Sequence, residues 1–176
     1  VCVVAGLIAV ISLGIYIASL ASEPTGIDLR AKSLNQTSFI MVQNSDGKFE
    51  QYQTLYSTEN RIWVDNQKIP QAMKDAVVAI EDKRFFDHHG VDWTRTLSAV
   101  VSLASGTDSY GGSTITQQLI KNITDDNEVS LTRKMREICK ALKLENEYTK
   151  DEILEAYLNV VNFGNNCQGV ESAAQL

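Results

Sequence analysis

What this sequence has little of narrows its function before any motif is found. Basic residues are outnumbered: 16 Lys and Arg against 22 Asp and Glu give a formal net charge of −6. That balance argues against general nucleic-acid binding. Histidine is scarce, with only His88 and His89 in the chain. They bring neither a His-Glu-x-x-His spacing nor an evident third ligand, so they do not read as a metal site. The three cysteines fall in an apolar segment (Cys2), a predicted helix (Cys139) and a predicted loop (Cys167). Only the latter two could pair outside a membrane. The Gly-x4-Gly-Lys-Ser/Thr order of a P-loop is missing, as are internal repeats and low-complexity tracts.

Charge is missing altogether from Val1 to Ser22, and Val1 to Leu20 is mostly Val, Ile, Leu, Ala and Gly. A helix of about 20 residues spans about 30 Å, the thickness of a bilayer's hydrocarbon core. Residues 1–22 therefore read as a transmembrane anchor. Ser19-Leu20-Ala21 also resembles a signal-peptide cleavage site, although signal apolar regions usually run only about 7–15 residues. Either reading sends the remainder out of the cytoplasm. The chain begins at Val, so a cytoplasmic start is expected ahead of it, and the positive-inside rule has no flank to act on.

The 176 residues, 44% of them hydrophobic, are enough for one domain with a real core. Residues 23–68 read as a small β-rich connector. Ser38 to Gln43 is a strand-like run, Asn44-Ser45-Asp46-Gly47 supplies a turn, and Phe49 to Tyr56 and Ile62-Trp63-Val64 are further strand candidates. From Pro70 onward the pattern is helical. Pro70 suits a first helical position, and Ala72, Met73, Ala76, Val77 and Ile80 recur at the spacing of a buried face. Asp92 can cap a helix to about Ser105 with Leu97, Val100, Val101 and Ala104 inward and Gly106 as its stop. Residues 106–112 have the composition of a mobile loop. Further helices are predicted from Ser113, from Ser130 (Leu131, Met135, Ile138 and Leu142 on one face) and after the capping box at Thr149 to Glu152. Gly164 and Gly169 punctuate the end, and a last helix starts at Val170.

Three stretches could carry chemistry. Ile80 to Gly90 packs Glu81, Asp82, Lys83, Arg84, Phe85, Phe86, His88 and His89 into one junction. Glu81 sits at the last turn of its predicted helix, where partial desolvation and the negative end of the helix dipole both favour a protonated carboxyl. That is the tendency a general base needs; the plainer alternative is a helix ending in solvated charges. Phe85-Phe86 read as core and His88 as structural. In the second stretch, Gly111 to Asn122, a cap at Ser113 would put Thr114, Gln118 and Lys121 on one polar face. Free N–H groups, a Gly-Gly approach and a nearby cation fit an anion site, or an ordinary capped helix. In the third, Arg133 and Glu137 are four apart and can touch on a helix surface. If that helix faces Glu81, it supplies a second carboxylate plus cations, the set needed to move a sugar off a phosphate.

Taken together these stretches resemble the peptidoglycan glycosyltransferase domain of penicillin-binding proteins and their monofunctional relatives (glycosyltransferase family 51). Glu-Asp-x-x-Phe-x-x-His-x-Gly is matched at Glu81, Asp82, Phe85, His88 and Gly90. Gly-Gly-Ser-Thr-Ile-Thr-Gln-Gln-Leu with its Lys-Asn ending is matched from Gly111 to Asn122. Arg-Lys-x-x-Glu is matched by Arg133, Lys134 and Glu137, and Lys-x-x-Ile-Leu-Glu-x-Tyr-Leu-Asn from Lys150 to Asn159. Phe163-Gly164 and Gly169 to Ala174 look like the segment that follows. The resemblance covers Ile69 to Leu176, and the family's domain continues with a fifth, arginine-containing motif. Residues 69–176 are therefore expected to be a C-terminally incomplete glycosyltransferase domain.

The resemblance implies a mainly α fold, a lysozyme-like helical lobe with a smaller membrane-proximal jaw. It implies polymerisation of lipid II into β-1,4 glycan with inversion and loss of undecaprenyl pyrophosphate. Glu81 would be the general base and Glu137 a second catalytic carboxylate at the donor site. Thr114, Gln118, Lys121, Arg133 and Lys134 would bind substrate, supported by Asp82, Phe85, His88 and Gly111. No cofactor is implied beyond a divalent cation (Mg or Mn) that assists some members. The implied partners are lipid II, the growing glycan strand, the membrane, the cell-wall synthesis machinery and, in bifunctional members, a C-terminal transpeptidase domain. The implied place is the outer face of a bacterial cytoplasmic membrane, held by a single span.

Overall fold

The computed structural model describes residues 2–30, 38–55, 60–106, 111–124, 128, 130–165 and 167–176. Helix α1 runs Cys2–Ser22, where the sequence places an anchor; side chains at 2, 3, 5, 8–10 and 13 lie outside the description. Among the described residues no helix is long and apolar enough to cross a membrane, so the anchor rests on sequence alone. Strands β1 (Ser38–Gln43) and β2 (Phe49–Leu55) then form an antiparallel hairpin around the Asn44–Gly47 turn, as the strand-like run and turn residues predict. The predicted strand residue Tyr56 falls outside the described residues.

The rest is helical: α2 (Gln71–Glu81), α3 (Trp93–Ala104), α4 (Ile115–Thr124), α5 (Leu131–Glu147), α6 (Lys150–Val160) and the short α7 (Val170–Ala174). The caps are set locally. Asp92 Oδ1 accepts from the Arg95 N–H at 3.0 Å, and Ser130 Oγ from the Arg133 N–H at 3.1 Å. Thr149 and Glu152 close the predicted capping box. At α4 the cap is Thr114 rather than Ser113: its hydroxyl accepts from Gln117 N, and Gln117 Oε1 accepts from Thr114 N at 2.9 Å. Pro70 precedes α2 instead of opening it, in an extended conformation with ψ 138°.

Helix α4 is the core's axis. It packs against both α5 and α6, and Ile115, Leu119 and Ile120 lie buried among Ala141, Leu144, Ile153, Leu154 and Leu158. Each such side chain contributes about 1.5–3 kcal/mol when taken from water. The packing is close enough to require glycine at two points. A Cβ at Gly90 (φ +80°) would lie 2.6 Å from the Ala141 carbonyl oxygen, and one at Gly169 (φ +85°) 2.6 Å from that of Asn159. Gly90 thereby presses the loop after α2 onto α5.

Several outward faces differ from the periodic reading. Ile80 is 76% exposed, and Ala72 and Ala76 are exposed, so Met73, Val77 and Val78 carry α2's contact with the core. On α3, Leu97 and Val101 face outward with Trp93, and Leu131 of α5 and Phe86 are also exposed; the side chains of Val100 and Ala104 lie outside the description. Periodicity identifies residues that share a face but not what covers that face. Ile62-Trp63-Val64 is not a strand either. Asn159 takes both backbone groups of Val64 (2.8 and 2.9 Å), Ser172 Oγ takes Ile62 N and Glu155 takes Asn66 N. These side chains satisfy the backbone that a neighbouring strand would otherwise pair. The strand here is β3 (Asn60–Arg61), parallel to β4 (Cys167–Gln168). Cys139 and the buried Cys167 are free thiols.

The segment after α1 belongs to the same body. Leu20, Ile27 and Leu29 are buried, the latter two within the main core. Tyr148 donates to the Ile27 carbonyl and accepts from Leu29 N, both at 3.3 Å, and Arg30 pairs with Glu152 at 3.0 Å. This strap, at the start of the stretch read from sequence as a small β-rich connector, follows α5.

Candidate active site

The loop after α2 is fastened to α4 by one carboxyl group. Asp82 is fully buried; its Oδ2 accepts from Ile115 N at 3.1 Å and meets His88 Nε2 at 2.9 Å. Ile115 opens α4, so the carboxyl also faces the positive end of that helix. Phe85 is buried beneath His88, edge-on at 6.2 Å, with the Lys150 ammonium 4.4 Å from its ring centre. Lys150 also donates to the His88 carbonyl (2.7 Å) and Glu145 (2.8 Å). Asp82, Phe85 and His88 thus hold the loop. Arg84 clamps Asp92 through two 2.8 Å bonds. Burial pushes the Asp92 carboxyl up, but the Arg95 N–H, the Thr94 hydroxyl and Arg84 together hold it below the ordinary carboxylate range.

Glu81, the residue before this fastening, is half-buried and accepts from Gln118 Nε2 at 2.9 Å. Gln118 Oε1 in turn accepts from the Tyr157 hydroxyl at 3.0 Å. The chain Tyr157–Gln118–Glu81 joins α6, α4 and α2. Burial, and secondarily the charge of Glu81, push the Tyr157 phenol well above its ordinary value, so it remains an O–H donor. A permanent donor on Oε1 fixes which way the Gln118 amide points and aims its NH2 at Glu81. Sequence reasoning missed Tyr157, whose apolar periodicity marks it only as core. Tyr157→Phe removes the donor without opening a cavity; we expect turnover to fall roughly fivefold, the worth of one hydrogen bond of about 1 kcal/mol. Steady-state kinetics should place the loss in kcat.

One turn further along α4, Lys121 faces a cleft shared with α5, lined also by Ile120, Thr124, Arg133, Arg136, Glu137 and Lys140. Glu137 is 5% exposed and carries two cations: Arg133 Nη1 at 2.7 Å and the Lys134 ammonium, which also donates to Ser113 Oγ at 2.8 Å. The pair predicted from the four-residue spacing is therefore a three-residue cluster around a buried carboxylate, with Arg133 and Lys134 half-buried. Arg133 Nε is buried with no partner, and Lys121 and Lys140 make no ion pair among the described residues. The cleft has donors to spare for an anion. Arg136 and Lys140 were not singled out from sequence, although their spacing from Arg133 on one helix face was visible.

Two sequence candidates stand elsewhere. Thr114 is fully buried, and its hydroxyl donates to the Gly90 carbonyl at 2.7 Å, so it splices two motifs together and faces no cleft. Gly111 is exposed at the edge of the predicted mobile loop, of which residues 107–110 lie outside the described residues. No group of three or more His, Cys, Asp or Glu side chains among the described residues could hold a metal ion, and Glu137 already has its two cations.

Gln118, which holds the Glu81 carboxylate of α2, and Lys121, which lines the cation-rich cleft, thus stand on adjacent turns of α4. The transglycosylase family model matches residues 47–176, and the chain belongs to that family. It is 41% identical to penicillin-binding protein 1A of Clostridium perfringens (strain 13 / Type A) over 97% of this chain and 25% of that protein. It is 39% identical to penicillin-binding protein 1F of Bacillus subtilis (strain 168) over 96% of this chain and 22% of that protein. It is 45% identical to a monofunctional glycosyltransferase of Staphylococcus epidermidis over 68% of this chain and 45% of that protein. The chain thus spans about a quarter of the penicillin-binding relatives. The likeness also reaches back through the strap and hairpin, further than the Ile69 boundary that the four motifs suggest.

Proposed function

We propose that this chain carries the glycan-polymerising site of a peptidoglycan glycosyltransferase, with lipid II and the growing glycan strand as its substrates. The observation that carries the reading is the register of α4. Gln118 reaches Glu81 while Lys121, three residues on, reaches the cation cleft, so base and leaving-group site lie side by side. Glu81 Oε2 is held by Gln118, leaving its other oxygen to take the proton from an acceptor 4-hydroxyl. The deprotonated 4-hydroxyl oxygen of the acceptor attacks the donor's anomeric carbon as the bond to pyrophosphate breaks. The departing oxygen keeps the electron pair, and attack from the opposite face inverts the centre. Lys121, Arg133 and Lys134 stabilise the charge that develops, and Glu137 holds Arg133 and Lys134 in place.

On this reading α1 is a single membrane span that keeps the site on the outer face of a bacterial cytoplasmic membrane. Confining enzyme and lipid-linked substrate to one surface raises their effective concentration. The helices around α4 are the lysozyme-like lobe, and the outward apolar side chains of α3 belong to a membrane-proximal jaw. A transpeptidase domain and the cell-wall machinery would be the further partners. The test is incubation of labelled lipid II with the detergent-solubilised chain, extended through the length of its monofunctional relatives, and sizing of the products. A ladder of glycan chains, weakened by Glu137→Gln, is the expected result; bound lipid II without a ladder would overturn it. Release of short fragments from preformed glycan instead would identify a hydrolase.

A further inference from the structure

Helix α5 carries a line of cations at Arg133, Arg136, Lys140 and Lys143, spaced so that they follow one face. The first three line the cleft, and the fourth lies beyond it. Arg136 and Lys143, two turns apart by about 10 Å, are spanned by one residue of the strap. Glu23 places its Oε2 3.4 Å from Arg136 Nε, and its backbone carbonyl accepts from the Lys143 ammonium. It is pinned on both sides, by buried Leu20 one turn before and by Ile27 shortly after. Arg136 is thus the cation of the cleft whose counter-ion comes from outside it, whereas Arg133 and Lys134 are neutralised from within by Glu137.

We propose that Glu23 is a positioning residue that holds Arg136 in reserve at the cleft's rim, competing with an incoming pyrophosphate group for its guanidinium. The inference rests on the reading of the cleft as the pyrophosphate site. Both partners are more than one-third exposed, 44% for Glu23 and 34% for Arg136, and such pairs are weak. A doubly charged phosphate offering paired oxygens to a guanidinium is the stronger partner. Arg136 therefore transfers to the ligand when the cleft fills, and Glu23 loses one of its two ties to α5. By reciprocity, whatever seats α1 on α5 weakens leaving-group binding, and filling the cleft loosens the strap. A pyrophosphate product is then released more readily each time Glu23 recovers Arg136.

The experiment uses the whole chain in detergent with inorganic pyrophosphate as the probe, titrated calorimetrically. Glu23→Gln and Glu23→Asp are both expected to tighten binding about two- to fivefold, the range of an exposed ion pair. The Asp variant keeps the charge but shortens a reach that is already 3.4 Å. In an Arg136→Gln background the Glu23→Gln effect should vanish, the non-additivity of a direct pair. Saturating pyrophosphate should also speed amide exchange at residues 20–27 in the wild type but not in Glu23→Gln. Binding lost in Arg133→Ala yet unmoved by either Glu23 variant would overturn the competition and leave the cleft's assignment intact. A Glu23→Gln effect that persists without Arg136, with Glu23→Asp equal to wild type, would mean a diffuse charge effect and also overturn it. Pyrophosphate bound by neither wild type nor Arg133→Ala would overturn both readings.

Discussion

Glu81→Gln is expected to cut the initial rate of glycan polymerisation by about 10²–10⁴-fold, the usual worth of a positioned general base, with the fold intact. The substitution is nearly isosteric, and the bond from Gln118 shows what it does. Gln118 Nε2 donates to Glu81 Oε2, and the amide of Gln118 cannot turn over while Tyr157 occupies its oxygen. A glutamine at 81 must therefore offer its own oxygen to Gln118, which turns its NH2 toward the acceptor, where a proton has to be taken up. The variant presents a donor in place of the base. Glu81 is half-buried and its backbone carbonyl, which accepts from Arg95, is unchanged, so stability should move by no more than about 0.5 kcal/mol. Rates from labelled lipid II and a thermal melt on the same preparation check both halves. A ladder formed at the wild-type rate would keep the family and move the base elsewhere.

The residues of this site were legible because their spacing is local. Glu137 lies four residues from Arg133 on one helix, Ser130 and Thr149 announce their helices, and Glu81 ends the periodic stretch that follows Pro70. The ties between motifs were not legible. Gln118 meets Glu81 across 37 residues and Tyr157 across 39, and Asp82 reaches Ile115 N across 33. No periodicity records such distances. The same reason explains the mistaken strand at Ile62-Trp63-Val64, whose β-forming composition is genuine but whose backbone partners are Asn159 and Ser172, about 100 residues on. It also explains Thr114, whose polar character suited a ligand site until the Gly90 carbonyl proved to be its partner. Motif residues here fall into two sets, those facing the cleft and those joining one motif to the next, and sequence alone does not separate them.

Asp82→Ala tests the joining set and should be the most destabilising change at the site. Two polar groups lose their partner inside the protein: the Ile115 N–H at the start of α4, and His88 Nε2. Each buried orphan costs about 1–3 kcal/mol, so a loss of about 3 kcal/mol is expected. At about 2–4 °C per kcal/mol for a domain of this size, Tm should fall by roughly 6–12 °C. Asp82→Asn with its oxygen in the place of Oδ2 keeps an acceptor for both Ile115 N–H and His88 Nε2, so it should cost only about 1 kcal/mol. Calorimetry of the two variants against wild type measures this ordering. Activity separates anchoring from mere stability, because Asp82 is adjacent to Glu81 and fastens it to the helix that carries Gln118 and Lys121. If the carboxyl sets that register, Asp82→Ala will polymerise poorly even at temperatures where it is fully folded. Full activity below its lowered Tm would mean that α4 keeps Glu81 in register by core packing alone, through Leu119, Leu154 and Leu158.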